Sequence, residues 1–165
     1  MKCKTTLLAL SSFAFFSLVI ISCKKSNSSS SSGQVTATIG GTAWSSNVPT
    51  VGVYISNAST FEIGGEYIKS GDSTALAISF LAPFILNAPI SSDTAGVDVG
   101  YVNATTQAEY DGGSVAGHSL LTINSWDSVN HKISGTFSGV LYNITGGSDS
   151  VVVTNGTFTS VYTKQ

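Results

Sequence analysis

Two histidines and nine carboxylates are the side chains of this 165-residue sequence that offer acid–base or metal chemistry. His118 and His131 stand thirteen residues apart. A zinc hydrolase clusters its histidines, commonly four apart on one helix face with a carboxylate nearby, and that spacing is not found here. The plainer expectation is two half-exposed histidines flanking a hairpin that contains Trp126. Serine is abundant, yet no Gly-x-Ser-x-Gly elbow occurs, and a triad would have to recruit one of the two histidines. Glycosidases need two carboxyl groups about 5–10 Å apart, and Glu62 with Glu66 or Glu109 with Asp111 could meet that only by chance of folding. Residues 93–98 and 109–111 place aspartates beside glycines, but neither has the alternating oxygen ligands of a calcium loop. Asp111-Gly112-Gly113 reads as a turn. The sequence therefore predicts no catalytic residues, no metal site and no cofactor.

Cys23 is the exception. Lys2 and Lys4 precede an apolar stretch from Leu7 to Ile21, the pattern of a secretory signal. Fifteen residues at about 1.5 Å each span about 22 Å, short of the roughly 30 Å hydrocarbon core of a bilayer. Ile20-Ile21-Ser22-Cys23 resembles the bacterial lipobox, which implies cleavage before Cys23 and attachment of a diacylglyceryl group to its thiol. Several acyl chains at about 0.8 kcal/mol per buried CH₂ would hold the chain to a membrane firmly. Residues 1–22 thus read as a lipoprotein signal peptide. Residues 23–33 read as the lipidated cysteine and a serine-rich tether with a random-coil reach of about 15–20 Å. Some lipoproteins of this kind reach the cell surface through acidic residues just after the cysteine. Lys24 and Lys25 stand there instead, so the expected location is the cell envelope, on the periplasmic side of the outer membrane.

Beyond the tether, residues 34–165 are long enough for one domain. The sequence has no arginine, and from Gly33 onward three lysines face nine acids, a balance of −6. Nucleic acid is excluded as a partner, since phosphate neutralisation needs clustered basic side chains. Both cysteines, Cys3 and Cys23, lie ahead of this region, so neither a disulfide nor a cysteine-zinc site can staple it.

The periodicity is two throughout. Val35, Ala37 and Ile39 alternate with threonines before Gly40-Gly41, a two-residue hairpin signal leading to Thr42-Ala43-Trp44. Val51, Val53 and Ile55; Phe61 and Ile63; Leu76, Ile78 and Phe80; Val97, Val99 and Tyr101; and Leu121 and Ile123 repeat the alternation. So do Ile133, Phe137 and Leu141, then Val151 and Val153, before Asn155-Gly156 signals a hairpin or a bulge. No helical stripe is evident, and Pro49, Pro83 and Pro89 fall near strand ends. The expectation is an all-β, antiparallel two-sheet sandwich of nine or ten strands, with a closed barrel as the alternative. Ser134-Gly-Thr-Phe and Asn155-Gly-Thr-Phe look alike, and a strand motif used twice explains this better than a true repeat.

Gly41-Thr42-Ala43-Trp44, Ile133-Ser134-Gly135-Thr136-Phe137 and Val153-Thr154-Asn155-Gly156-Thr157-Phe158 together resemble a family of small bacterial lipoproteins with an all-β domain of unknown function. The resemblance covers most of the mature region and implies architecture and location, with no chemistry attached.

Four Asp-Ser/Thr pairs, ending on Ser73, Thr94, Ser128 and Ser150, resemble the sequon of periplasmic O-glycosylation in some bacteria that make such lipoproteins, although such pairs are also ordinary turn formers. Of the two tryptophans, Trp44 follows a hairpin and is expected to plug the core. Trp126, among Asn124, Ser125, Asp127 and Ser128, is expected in a loop, where an indole with polar neighbours suits stacking on a glycan or peptide, although a tip residue folded back onto the sandwich edge is the plainer expectation. The reading is a lipid-anchored envelope protein with a non-catalytic binding or structural module. Its partners would be the membrane, through the N-terminal lipid, and an envelope glycan or protein. The alternative is a carbohydrate-processing or other hydrolase with its site in the loops at the sandwich ends.

Overall fold

The computed structural model describes residues 33–114 and 116–165. The expected signal peptide, Cys23 and most of the expected tether lie outside the described residues. The domain is all-β, with eleven strands and one turn of helix: β1 (Gln34–Ile39), β2 (Thr42–Ser45), β3 (Val51–Ile55), β4 (Thr60–Lys69), β5 (Asp72–Leu81), β6 (Pro89–Ser91), α1 (Ser92–Ala95), β7 (Asp98–Asn103), β8 (Ala108–Asp111), β9 (His118–Asp127), β10 (Lys132–Asn143) and β11 (Ser150–Lys164). Short β6 and β8 raise the count above the nine or ten expected. β8 carries Glu109 and ends on Asp111, from which the turn expected at Asp111-Gly112-Gly113 begins.

Two layers face each other. In the first, the order is β2-β1-β11-β10-β9-β6; in the second, β3-β4-β5-β7-β8. Their inner faces carry the alternating residues read from the sequence, with Val35, Phe61, Ile63, Leu76, Ile78, Phe80, Val99, Leu121, Ile123, Ile133, Leu141, Val153 and Phe158 almost fully buried. Fully burying each such side chain contributes about 1.5–3 kcal/mol. Contact across the layers is close. Phe61 of β4 packs edge-on against Tyr162 of β11 at 5.2 Å, and a Cβ at Gly65 of β4 would fall 2.8 Å from Val35 of β1.

The ladder nevertheless runs unbroken through all eleven strands. β11 outlasts β1 and pairs through Tyr162–Lys164 with β3, and β10 outlasts β9 and pairs through Tyr142 and Asn143 with β8. These corner pairings are short, so the layers form a sandwich pinned at two edges by strands that pass from one layer to the other, not an evenly paired barrel. The β11–β3 pairing is parallel, a departure from the all-antiparallel expectation.

Two bulges set which residues face inward. Gly40 and Gly41 both take positive φ, 55° and 83°, and close the β1–β2 hairpin as the sequence predicts. Asn155-Gly156 makes a bulge within β11: Asn155 has φ 52°, and the register against both β1 and β10 slips there. After the slip, Phe158, Ser160 and Tyr162 point inward, out of phase with Val153. A second slip, at Asn124 of β9, does the same for the residues that follow Ile123.

Candidate functional site

The second layer ends in a row of polar and aromatic side chains. Tyr67 of β4 lies directly opposite Thr74 of β5, and Thr74 lies opposite Asn103 of β7. Asp72 and Tyr101 stand two residues from members of that row and so share its inward face. The β1–β2 hairpin of the other layer closes over them. Trp44 lies half-buried there, and its Nε1 donates to Thr74 Oγ1 at 2.8 Å. Together with Thr42 and Ser45 these residues line a partly open pocket of about 440 Å³ at the mouth of the sandwich.

Thr74 is the anchor of this mouth. It is buried at 7% exposure, and its hydroxyl engages both the Trp44 indole and the Tyr101 phenol. Holding Nε1 in this way restrains the indole and spends its one donor, so that the ring meets the pocket as apolar aromatic surface. Burial, and then the Asp72 carboxylate, raise the Tyr101 phenol above its ordinary value and keep it a neutral hydroxyl. Asn103 Oδ1 accepts from the Thr105 and Thr106 amides at 3.0 and 3.1 Å, which sets the side chain. Its amide nitrogen remains to donate. The Asp72 carboxylate has only a marginal contact, from the Thr105 hydroxyl at 3.5 Å.

The opposite end of the domain is apolar. Phe61, Phe80, Phe84, Trp126, Tyr54 and Tyr162 form a cluster of ring contacts there. Trp126 belongs to β9 and not to a loop, which corrects the sequence reading. The bulge at Asn124 turns Trp126 towards Phe61; of the polar neighbours that signalled a loop, Asn124 and Ser125 are exposed strand residues, Asp127 ends the strand and only Ser128 lies in the turn. Its Nε1 donates to Tyr162 Oη at 2.9 Å, and 47% of the residue stays exposed. Trp44 is also corrected. The core plug expected from the sequence is only half-buried: Trp44 packs against the border of the core and also forms a wall of the pocket, because β2 pairs only with β1 at the edge of its layer.

The histidines do not meet. His118 opens β9 and His131 follows its far end at positive φ, so the ten-residue strand separates them by about 30 Å. His118 Nδ1 lies 3.1 Å from Asp93 Oδ2 of α1 in an exposed pair, and His131 stacks on Tyr162. Glu62 and Glu66 lie on the outer face of β4, where burial raises both carboxyl groups above their ordinary value.

The acids that do meet are Asp98 and Asp111. Gly113 N donates to Asp98 Oδ1 at 2.9 Å and to Asp111 Oδ1 at 2.6 Å, and Ser114 N adds a third bond, to Asp111. Burial first, then the charge and hydrogen bond of Asp111, push the Asp98 carboxyl up to about 7. Sequence reading treats these two aspartates separately, because thirteen residues divide them and only the β7–β8 pairing unites them. Their donors are the amides of the turn after β8, which makes the pair a clamp on that turn.

The candidate glycosylation residues spread over the surface. Thr94 in α1, Ser128 in the β9–β10 turn and Ser150 at the start of β11 are exposed, whereas Ser73 is half-buried. Three of the preceding aspartates have partners of their own. Asp93 faces His118, Asp127 accepts from the Val129 and Asn130 amides, and Asp149 accepts from the Tyr110 hydroxyl and the Asn143 amide.

No family model, curated protein or solved structure matches this chain.

Proposed function

We propose that this chain is a lipid-anchored cell-envelope protein whose all-β domain is a non-catalytic binding module. The observation that carries the reading is the pocket of Trp44, Tyr67, Asp72, Tyr101 and Asn103, in which ring faces and unspent hydrogen-bonding groups converge. Its position supports an anchored receptor. Gln34, where the tether joins, lies level with Thr159, Ser134 and Ser125, at the Trp126 end of the sandwich. The pocket lies beside Ile39 and Thr42, at the other end. The tether thus joins the domain at the end remote from the pocket and leaves the pocket mouth unobstructed, which suits a chain lipid-anchored at Cys23 on the periplasmic side of the outer membrane.

Binding fits the pocket better than hydrolysis. Among the described residues Asp72 is the one carboxylate lining it, and cleavage of a glycosidic bond takes two, about 5–10 Å apart. The Asp98–Asp111 pair lies near the other end of β7, five residues or about 16 Å from Asn103.

Metabolic labelling with a fatty-acid analogue, followed by gentle co-purification from native membranes, tests the proposal. The wild-type chain should carry label, fractionate with membranes and enrich an envelope component. Cys23→Ala should lose the label and accumulate as precursor. Unchanged labelling of Cys23→Ala overturns the anchor, and a labelled chain that enriches no envelope component overturns the binding role.

A further inference from the structure

We propose that the pocket beside Trp44 takes an uncharged sugar ring. The inference rests on the binding-module reading and names its ligand class. A pyranose has one face of C–H groups and a rim of hydroxyls, each able to donate and accept. The C–H face matches the negative π-face of an aromatic ring, and the rim needs acceptors and donors placed beside that ring. Both requirements are met here. Nε1 of Trp44 is spent on Thr74, so the indole offers its face. Asp72 offers an acceptor and the Asn103 amide nitrogen a donor, on adjacent strands across the same mouth.

The charge of the pocket narrows the class. Among the described residues Asp72 is the one charged side chain that lines it, so phosphorylated sugars and uronic acids meet repulsion from it with no lysine of the domain as counter-charge. An organic ammonium ion is the other ligand of aromatic pockets, which bind it by closing ring faces around one point. Here the Thr42 hydroxyl and the Asn103 amide nitrogen stand among the rings, and both would go unpaired against an alkylated cation. A polyol satisfies them. The size agrees, since about 440 Å³ holds one or two sugar rings at an opening that lets a longer glycan continue outward.

Only two tryptophans occur, so Trp126→Phe leaves Trp44 as the single indole reporter while keeping an aromatic side chain against Phe61 and Phe84. The test uses the full chain carrying this substitution, in a detergent without a sugar headgroup. It is titrated with neutral disaccharides of glucose, galactose, mannose and N-acetylglucosamine, with glucuronic acid, and with tetramethylammonium. The expected result is a saturable change in Trp44 emission with at least one neutral disaccharide and none with the acid or the cation. Asp72→Asn should weaken that binding about tenfold, as loss of a charge-assisted hydrogen bond does, with an unchanged melting temperature. In the chain with both tryptophans, Trp44→Ala should abolish retention on the immobilised sugar, and Trp44→Phe should keep part of it. Saturation by tetramethylammonium or glucuronic acid instead overturns the ligand class. So does sugar binding that survives both Asp72→Asn and Trp44→Ala. An envelope component that co-purifies equally well with the Asp72→Asn and Trp44→Ala chains removes the pocket inference while leaving the binding-module proposal standing.

Discussion

Gly135 lies beneath the ring of Phe158, and the relation is reciprocal: its counterpart Gly156 lies beneath the ring of Phe137. The two similar Gly-Thr-Phe stretches are cross-strand partners, with Gly135 opposite Phe158, Thr136 opposite Thr157 and Phe137 opposite Gly156. A Cβ on Gly135 would fall 2.5 Å from the Thr122 carbonyl oxygen and 2.7 Å from Phe158 Cε1; one on Gly156 would fall 2.6 Å from Phe137 Cδ2. Each glycine makes room for the phenyl group that the other stretch contributes to the core. The likeness between the stretches is thus a packing requirement met twice across one strand pair.

Gly135→Ala should therefore cost about 1–3 kcal/mol, the range for forcing a methyl group into a filled core. Gly64→Ala on β4 is the control, because a Cβ there meets nothing within 4 Å. It should be neutral or stabilising by about 0.5 kcal/mol through the unfolded chain. Urea unfolding of both variants checks the difference. Equal stabilities would mean that the β10–β11 pair is not packed as described.

Trp126 should behave as a structural residue. Its ring meets Phe61 at 6.4 Å and Phe84 at 5.4 Å, both edge-on, and its Nε1 donates to the nearly buried Tyr162 hydroxyl. A fully buried tryptophan replaced by alanine costs about 3–5 kcal/mol, so a half-exposed one should cost about 2 kcal/mol. Trp126→Phe should cost about 1 kcal/mol, chiefly the hydrogen bond. Thermal melts of the two variants decide the matter. An unchanged midpoint for Trp126→Ala would return the indole to the role of a free surface contact.

The strands were legible wherever alternation ran unbroken, as in Val35–Ala37–Ile39 and Leu76–Ile78–Phe80, because period two needs no knowledge of the partner strand. Both misjudged tryptophans sit where that rule stops. At Trp126 an extra residue, Asn124, shifts the phase, and a reader of the sequence sees only a polar run. At Trp44 the fate of the side chain depends on β2 being an edge strand, which is fixed by β11 pairing with β1 on one side and β10 on the other. The pocket was illegible for the same kind of reason. Trp44, Tyr67, Asp72, Tyr101 and Asn103 come from four strands and the hairpin ends between them, with no spacing in common. The hydroxyl-rich composition pointed to polar surfaces without saying where they converge.

The glycosylation resemblance gains discrimination from exposure. Thr94, Ser128 and Ser150 are open to a modifying enzyme, whereas Ser73 is half-buried beside the pocket residue Asp72, with its amide bonded to the Thr105 hydroxyl. Chain purified from its native cells should carry glycan mass on peptides containing Thr94, Ser128 or Ser150 and none on Ser73. Peptide masses equal to the bare polypeptide at the three open sites would reduce all four pairs to turn formers.

The Asp98–Asp111 pair should make stability fall as pH rises across a window in which most proteins are indifferent. The Asp98 carboxyl titrates at about 7 in the folded chain, against an ordinary value of 3.8. Between those values the folded state holds a proton that the unfolded state has released, so raising the pH favours unfolding. The contribution is fully present below about pH 4 and is lost as pH passes 7. Glu62 and Glu66, also raised by burial, act in the same sense. Asp127 and Asp149 are held below the ordinary value by their hydrogen bonds, so their effect falls below pH 4, outside the window. Asn at position 98 keeps the shape of the protonated acid without the titration. Urea midpoints measured from pH 4 to pH 8 should therefore decline for the wild-type chain and flatten between pH 5 and pH 8 for Asp98→Asn. Parallel curves for the two proteins would show that Asp98 ionises freely, and that the turn after β8 is held without a shared proton.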